Sequence, residues 1–173
     1  MARPTLRILC TTLIAAMLIA ATAPSAQAVT VLTAYAGTFK EHALSETDGT
    51  TYVITGDIHA EWLRDASAVA RSYVADAKGN PDMARVLRGV VAREARYIEI
   101  DAYANAFTAA YGIFERKFEL SSLVYPIWFS YSYWKQTGDT SIFTDDENLA
   151  FERVLHVMHI EQHHATLSRY THS

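Results

Sequence analysis

The sequence predicts an all-α chain built of helical hairpins, and three observations support this prediction. Apolar residues recur at intervals of three and four over long stretches. Residues that start and stop helices stand between those stretches. The sequence shows no short-period repeat, no low-complexity tract and no linker, so a single domain is expected.

The first 28 residues have the composition of an export signal. Arg3 and Arg7 precede an almost continuous apolar run, Ile8–Ala21, and the sequence AQA ending at Ala28 has the small-x-small pattern that signal peptidase cleaves. The run is short for a bilayer span. We therefore expect residues 1–28 to be removed and residues 29–173 to be secreted or held in the cell envelope or periplasm. An uncleaved anchor is the less favoured alternative.

The mature region is acidic and lacks cysteine. The whole chain has 15 Lys and Arg against 19 Asp and Glu. Without Arg3 and Arg7, 13 basic residues oppose 19 acidic ones, a formal charge of −6. This balance argues against nucleic acid or a membrane surface as the partner. The only cysteine, Cys10, lies in the leader, so neither a disulfide nor a Cys-based metal site is expected.

The first half of the mature region predicts an extended segment followed by two helices. Thr50–Thr55 is β-branched and aromatic, which is typical of a short strand. The first helix is expected over Ala60–Ala77, with Asp57 as its N-cap. The second is expected over Pro81–Ile98, because the sequence GNP supplies a helix stop, an N-cap and a first-turn proline. Four arginines of this helix are expected to face largely outward: Arg85, Arg88, Arg93 and Arg96.

The second half predicts two more helices after a loop over residues 101–112. The third helix, about Phe114–Gln136, is apolar nearly all round, so burial on several sides is expected, with a kink or a new segment at Pro126. The fourth helix is expected to begin with a capping box, Thr144-x-x-Glu147, and to run to about His164.

Polar side chains collect where the first helix is expected to begin, in the sequence TGDIHAEWLRD. Asp57, Glu61 and Asp65 recur at intervals of four, so on a helix they would share a face and repel mildly. Arg64 can offset that repulsion and offer a planar set of donors, and Trp62 adds a flat apolar face. Such groups can bind the hydroxyls and the apolar face of a sugar. An ordinary N-cap with helical ion pairs is the alternative, which composition alone favours.

Four blocks of sequence closely resemble glycoside hydrolase family 125. They are, in the family's order, GTTYVITGDIHAEWLRDASA, DAYANAF, FERKFELSSLVYPI and YWKQTGDTSIF, and the late EQHHATLSRY is similar to a further stretch. The resemblance covers about Gly49–Tyr170. It implies an (α/α)6 barrel, present here as an incomplete N-terminal part. It also implies an exo-acting, inverting α-1,6-mannosidase that needs no metal or other cofactor and acts on α-mannosides such as mannan or N-glycan-type oligosaccharides.

The resemblance implies roles for individual residues. Four are placed at the mouth of the barrel, where they would hold the terminal mannose: Asp57, Trp62, Arg64 and Asp65. Three more are candidates for the same pocket or its support: Asn105, Arg116 and Glu119. Some positions depart from the family pattern. His59 and Glu61 stand where proline and often methionine are usual, Ser121 stands where aspartate is expected, and the connection 106–114 is shorter.

Length sets a limit on catalysis. An (α/α)6 barrel needs twelve main helices, whereas the mature region, about 145 residues, can supply about six. Inverting hydrolysis needs two carboxylates about 6.5–9.5 Å apart, and the resemblance implies that this pair lies beyond Ser173. Asp57 and Asp65 are expected to hold the substrate, so neither is expected to be the general acid or the general base. We therefore expect a truncated, inactive enzyme that exposes the apolar flank of Phe114–Trp134. A non-catalytic carbohydrate-binding or remnant helical module is the alternative.

Four histidines cluster near the end of the chain: His156, His159, His163 and His164. The first three recur at i, i+3 and i+7, a spacing that could bind a metal. The sequence HIEQH differs from the His-Glu-x-x-His of zinc peptidases, because its glutamate is misplaced. Chance clustering is the favoured interpretation, and no metal site is predicted.

Overall fold

The computed structural model of the protein describes residues 43–171, so the predicted leader lies outside the described residues. Helices dominate this part of the chain, beside two small antiparallel sheets. Its helices are α1 (Leu63–Arg71), α2 (Val74–Ala77), α3 (Pro81–Ile100), α4 (Leu120–Thr137), α5 (Asp145–Gln162) and α6 (His164–Leu167). Its strands are β1 (Ala43–Ser45), β2 (Thr51–Val53), β3 (Glu61–Trp62), β4 (Ala106–Phe107) and β5 (Ile113–Glu115). None of these helices is long and apolar enough to cross a membrane.

The two sheets differ in how far the sequence predicts them. The extended segment at Thr50–Thr55 is confirmed as β2, which pairs with β1 in the register Leu44 opposite Tyr52. The second sheet, in the order β3-β4-β5, was not predicted, because its strands are only two or three residues long. In it, Glu61 pairs with Phe107 and Trp62 with Ala106.

The prediction that the first helix spans Ala60–Ala77 is wrong at its start. Residues 61 and 62 form β3 and pair with β4, so α1 begins at Leu63. Trp62, not Asp57, is the N-cap residue, and no side chain caps this helix. Asp57 instead lies in an exposed turn between β2 and β3. The helix also breaks after Arg71, and the separate short helix α2 follows.

The start of α3 is formed as predicted. Asn80 Oδ1 accepts a hydrogen bond from Met83 N at 3.1 Å, and Pro81 occupies the first turn. Gly79 takes a positive φ of 85°, the conformation in which glycine stops the preceding helix. These devices involve residues within a few positions of one another, which is why the sequence reveals them.

The core lies where α3 packs against α5 on one side and where α1 packs against α4 on the other. Its members are buried apolar side chains of all these helices and of β4: Leu63, Tyr97, Ile98, Phe107, Leu123, Val154 and Val157. Tyr97 stacks on Phe107 with ring centroids 4.4 Å apart, which ties the second sheet to α3.

The third predicted helix corresponds to α4, which begins at Leu120 rather than Phe114. The preceding residues form β5, and Pro126 lies inside the helix without ending it. Burial on several sides is contradicted along one flank, where the expected exposure of apolar side chains within Phe114–Trp134 is confirmed. Four apolar side chains of α4 are exposed there, at intervals of four and three: Leu120, Val124, Trp128 and Tyr131.

The capping box of α5 is half formed. Thr144 Oγ1 accepts from Glu147 N at 3.2 Å, but the Glu147 carboxylate accepts from Ser130 Oγ at 2.7 Å. The glutamate therefore joins α5 to α4 inside the fold. α5 ends at Gln162, so His163 lies past the helix that His156 and His159 share. Within residues 43–171, no group of three metal-ligating side chains is close enough to hold an ion.

Candidate functional site

The start of α1 and the start of α4 together form a half-exposed ionic cluster, here called the Arg64 site. Arg64 Nε lies 3.0 Å from Asp65 Oδ1, and Arg64 Nη1 lies 3.2 Å from Glu119 Oε2. Glu119 is the residue just before α4, and the packing of α1 on α4 brings it to Arg64. Lys117 Nζ reaches the other Glu119 oxygen at 2.9 Å. Two carboxylates and two cations therefore meet at the surface.

The electrostatics keep this cluster charged. The hydrogen bond and charge of Asp65 raise the pKa of Arg64. The hydrogen bond from Lys117 lowers the pKa of Glu119, against a smaller opposing effect of burial. Both groups are therefore ionised at neutral pH. An ionised carboxylate is a strong acceptor for hydroxyl groups, but it does not donate the proton that a general acid must supply.

Trp62 and Asn105 both adjoin the start of α1, the helix that carries Arg64. Trp62 is half-buried, its ring meets Phe114 edge to face at 5.5 Å, and its backbone N–H donates to Thr55 Oγ1 at 3.0 Å. Asn105 O accepts from Leu63 N at 3.1 Å, which fixes the start of α1 to the second sheet. Asn105 Nδ2 donates to Glu115 Oε2. Its buried Oδ1 has no partner among the described residues.

Three of the seven predicted residues form the Arg64 site: Arg64, Asp65 and Glu119. Two others, Asp57 and Arg116, have no hydrogen bond or ion pair with it in the described part of the chain. Asp57 lies in the exposed turn before β3. Arg116 Nε donates to Asp101 Oδ2 at 2.8 Å, and its guanidinium lies over the Tyr103 ring at 5.7 Å. Arg116 therefore belongs to a separate group between the end of α3 and the end of the described chain. The prediction of these residues as substrate-binding stays a prediction.

The shared face predicted for Asp57, Glu61 and Asp65 is wrong, because Glu61 is a fully buried strand residue. Burial raises the pKa of Glu61 to about 8, more than the Val53 N–H and Arg93 lower it. Such a pKa would suit a general acid. However, Glu61 Oε2 accepts from Val53 N at 2.8 Å and the side chain is not exposed, so it cannot reach a glycosidic oxygen.

Arg93 is the residue whose predicted exposure differs most from the structure. It was expected to face outward with the other arginines of α3, but it is fully buried. Its guanidinium donates to Tyr97 Oη at 2.7 Å, to Thr50 Oγ1 at 2.7 Å and to Ala109 O. A signal for this burial was present, because Arg93 follows the buried Val86 and Val90 at helical spacing.

Clefts are found elsewhere on the surface. One of about 630 Å³ lies between the end of α3 and α5, lined in part by Asp101, Tyr103, Arg153 and His156. Another of about 300 Å³ lies beside Arg116. Neither is lined by Arg64 or Trp62. The Arg64 site is therefore an open surface cluster and not the floor of one of these clefts.

Comparison with known proteins assigns the family. Residues 16–173 match the family described as metal-independent alpha-mannosidase (GH125). The chain belongs to this family. The match starts at residue 16, inside the segment that we expect to be removed on export. Together with the helical architecture, it identifies the described fold as part of the family's (α/α)6 barrel.

Two relatives show how much of the family's length is present. A metal-independent alpha mannosidase of Streptococcus pneumoniae, solved as a non-productive complex with alpha-1,6-mannobiose, is 32% identical with a TM-score of 0.76. The comparison covers 96% of this chain and 42% of that one. The meiotically up-regulated gene 157 protein of Schizosaccharomyces pombe is 34% identical over 143 residues, or 70% of this chain and 28% of the yeast protein. The chain therefore spans less than half the length of either relative.

Proposed function

We propose that this chain is the mannoside-binding part of an exo-acting, inverting α-1,6-mannosidase. The observation that carries the proposal is the Arg64 site, in which a half-exposed guanidinium is held between two carboxylates. The mannobiose bound in the Streptococcus pneumoniae relative supports the choice of sugar. By the resemblance to family 125, the terminal mannose would be bound by Arg64, Asp65 and Glu119, and Trp62 would lie against its apolar face.

The chemistry available here is binding rather than bond cleavage. Ionised carboxylates accept hydrogen bonds from neighbouring sugar hydroxyls, and the Arg64 fork donates to the ring and hydroxyl oxygens. Trp62 and Phe114 offer apolar surface for the C–H face of the sugar. We propose that the general acid and general base are supplied by a further part of the family's fold. The exposed apolar flank of α4 supports this, because it is a surface on which further helices could pack.

Calorimetric titration of the chain with α-1,6-mannobiose tests the binding role. Arg64→Ala removes donors to the sugar, so we expect its affinity to fall by about tenfold or more. Arg88→Ala is the matched control, since Arg88 is also 39% exposed and also lies 3.0 Å from a carboxylate, that of Asp139. Equal affinities for the two variants, or no binding by the unchanged chain, would contradict the proposal.

A mannose-release assay tests the assignment of catalysis to another part of the fold. We expect no mannose to be released from α-1,6-mannobiose by the chain alone, because the pKa of Glu119 is lowered and Glu61, whose pKa is raised, is fully buried. Turnover that survives repurification and is lost in Arg64→Ala would place the acid–base pair within this chain and overturn that assignment.

A non-catalytic mannoside-binding module is the second candidate. The ionised Glu119 carboxylate favours it as well, because that group can bind sugar hydroxyls but cannot donate a proton. Addition of the remaining helices of a relative as a separate polypeptide distinguishes the two. Restored hydrolysis indicates a part of an enzyme, whereas binding that never leads to hydrolysis indicates a module.

Export is proposed on the sequence of the first 28 residues alone. Expression with the complete N-terminus and sequencing of the product tests it. We expect the mature chain to begin at Val29 and to be found outside the cytoplasm. An intact Met1 on the purified product would contradict the proposal.

A further inference from the structure

A group of half-buried side chains near residue 170, here called the Tyr170 clasp, is held together by hydrogen bonds. Its members are Tyr103, Phe118, Glu161, Ser168 and Tyr170. Tyr103 Oη and Ser168 Oγ both donate to Glu161 Oε1, at 2.9 Å and 2.6 Å. Tyr170 N donates to Ser168 Oγ at 3.1 Å. These bonds fix Tyr170 beside the last turn of α5, in which Glu161 lies.

The three aromatic rings of the clasp also pack against one another. Tyr170 stacks on Tyr103, with ring centroids 5.2 Å apart and planes at 10°. Phe118 contacts both rings, at 5.5 Å from Tyr103 and edge to face at 6.0 Å from Tyr170. The Arg116 guanidinium lies over the Tyr170 ring at 5.4 Å. The ring of Tyr170 is therefore oriented by packing as well as by the backbone bond to Ser168.

The hydroxyl of Tyr170 connects the clasp to the segment that supplies Glu119. Phe118 N donates to Tyr170 Oη at 3.0 Å. Residues 116–119 join β5 to α4 and belong to neither a helix nor a strand. Contacts made by side chains such as Tyr170 therefore have a large part in setting their position.

Glu119 links this segment to the Arg64 site. It directly follows Phe118 in the sequence, and its Oε2 lies 3.2 Å from Arg64 Nη1. A displacement of Phe118 would therefore move the Glu119 carboxylate relative to Arg64. The two residues of this ion pair lie 55 positions apart, and the clasp holds one side of the pair from a third part of the chain.

We propose that Tyr170 is a positioning residue: its hydroxyl accepts the Phe118 N–H and so holds Glu119 beside Arg64 for mannoside binding. The ligand in this proposal rests on the proposed function, whereas the effect of Tyr170 on the Arg64–Glu119 pair does not depend on any ligand. The clasp is formed entirely from sequence blocks that resemble family 125: DAYANAF, FERKFELSSLVYPI and EQHHATLSRY.

The test compares Tyr170→Phe with a control, Tyr133→Phe. Phenylalanine at position 170 keeps the stacked ring but removes the acceptor for Phe118 N. Tyr133 also has a bonded hydroxyl, which donates to Asp139 Oδ2 at 2.9 Å near the far end of α4. Calorimetric titration with α-1,6-mannobiose measures affinity. We expect Tyr170→Phe to lose about three- to tenfold in affinity, and Tyr133→Phe to lose stability but not affinity.

A double-mutant cycle separates positioning from a general loss of stability. Glu119→Ala removes the group through which Tyr170 is proposed to act. Adding Tyr170→Phe to Glu119→Ala should therefore lower the affinity by less than about twofold more. Losses that multiply in the double variant would overturn the positioning role, as would an equal loss of affinity in Tyr133→Phe.

Nuclear magnetic resonance of the Arg64 guanidinium keeps the proposal testable without the sugar. Glu119→Ala should shift these signals, because it removes a charged partner, and Tyr170→Phe should shift them part of the way in the same direction. Tyr133→Phe should leave them in place. Unchanged Arg64 signals in Tyr170→Phe would overturn the positioning role. Failure of the unchanged chain to bind mannobiose, with these shifts present, would reject the proposed function and keep the positioning role.

Discussion

Arg64 and Arg93 each lie near a glutamate, but one stands at the surface and the other in the interior. The Arg64 side chain is 39% exposed and lies 3.2 Å from Glu119, whereas Arg93 is fully buried and lies 3.9 Å from Glu61. Water and salt screen the first pair, so its charges are free to exchange partners with a ligand. Arg93 is surrounded by fixed acceptors and by the rings of Tyr52, Tyr97 and Tyr111. The same residue type therefore acts as a candidate binding group in one place and as a structural centre in the other.

The largest expected effect is on the buried side of this comparison. Arg93→Met removes the charged donor that Thr50 Oγ1, Tyr97 Oη and Ala109 O share and leaves the buried Glu61 without its cation. We therefore expect a loss of about 3–5 kcal/mol in the free energy of unfolding. Urea denaturation followed by circular dichroism measures it. A loss below about 1 kcal/mol would show that the buried contacts of Arg93 contribute no more to stability than an exposed ion pair does.

The buried glutamate Glu147 is expected to have the second largest effect, on the pH dependence of stability. Burial raises the pKa of Glu147 to about 7, against a smaller lowering by Ser130. The folded state therefore keeps a proton that the unfolded state, with an ordinary pKa of about 4.5, releases. Stability is fully present below about pH 4.5 and is lost as the pH rises through about 7, by on the order of 3 kcal/mol from this group.

Glu147→Gln should flatten that slope, because glutamine keeps an acceptor for Ser130 and does not titrate. Glu61, with its pKa of about 8, should continue the decline in both proteins at higher pH. Denaturation midpoints at intervals from pH 4.5 to 8.5 provide the measurement. Parallel curves for Glu147→Gln and the unchanged chain would mean that Glu147 does not carry a raised pKa.

Gly89 tests the contact between α3 and β2, which holds Thr50 and Thr51 beside Arg93. An added Cβ at this position would lie 2.9 Å from Thr51 N and closer still to Thr51 Oγ1. Gly89→Ala should therefore cost about 1–3 kcal/mol by overpacking, although alanine is the better helix former. Thermal unfolding measures it. A variant more stable than the unchanged chain would show that the helix and strand are less closely packed.

The smallest expected effect lies on the exposed side. Arg64→Met should change the free energy of unfolding by only about 0–1 kcal/mol, because exposed ion pairs contribute little to stability. The same denaturation series as for Arg93→Met measures it. A loss comparable to that of Arg93→Met would assign Arg64 a structural role and weaken its assignment to ligand binding.

The sequence predicts the parts of this fold that depend on near neighbours. The Asn80 cap, the Gly79 stop and the Thr144 cap each form within a few residues, and each is observed. The interval-of-four pattern at Glu61 fails for the opposite reason. Its carboxyl bonds to Val53 and approaches Arg93, 32 positions further along the chain, and helical spacing contains no information on such partners.

The candidate site is predicted in part, for the same reason. Arg64 and Asp65 are adjacent, so their pairing follows from the sequence. Glu119 joins them only because α1 packs on α4, and the family resemblance rather than any spacing indicates it. The same resemblance groups Arg116 with Glu119, yet Arg116 pairs with Asp101, 15 positions earlier in the sequence. Side-chain direction is set by contacts that a motif does not encode.

Chemical-shift mapping with α-1,6-mannobiose on the isotope-labelled chain tests the central claim most directly, because it locates the sugar on the surface. We expect the amide and indole signals of residues 55–65 and 115–119 to shift, and those of α5 to stay in place. Shifts confined to the 630 Å³ cleft between the end of α3 and α5 would contradict the account, since they would put the mannoside away from Arg64.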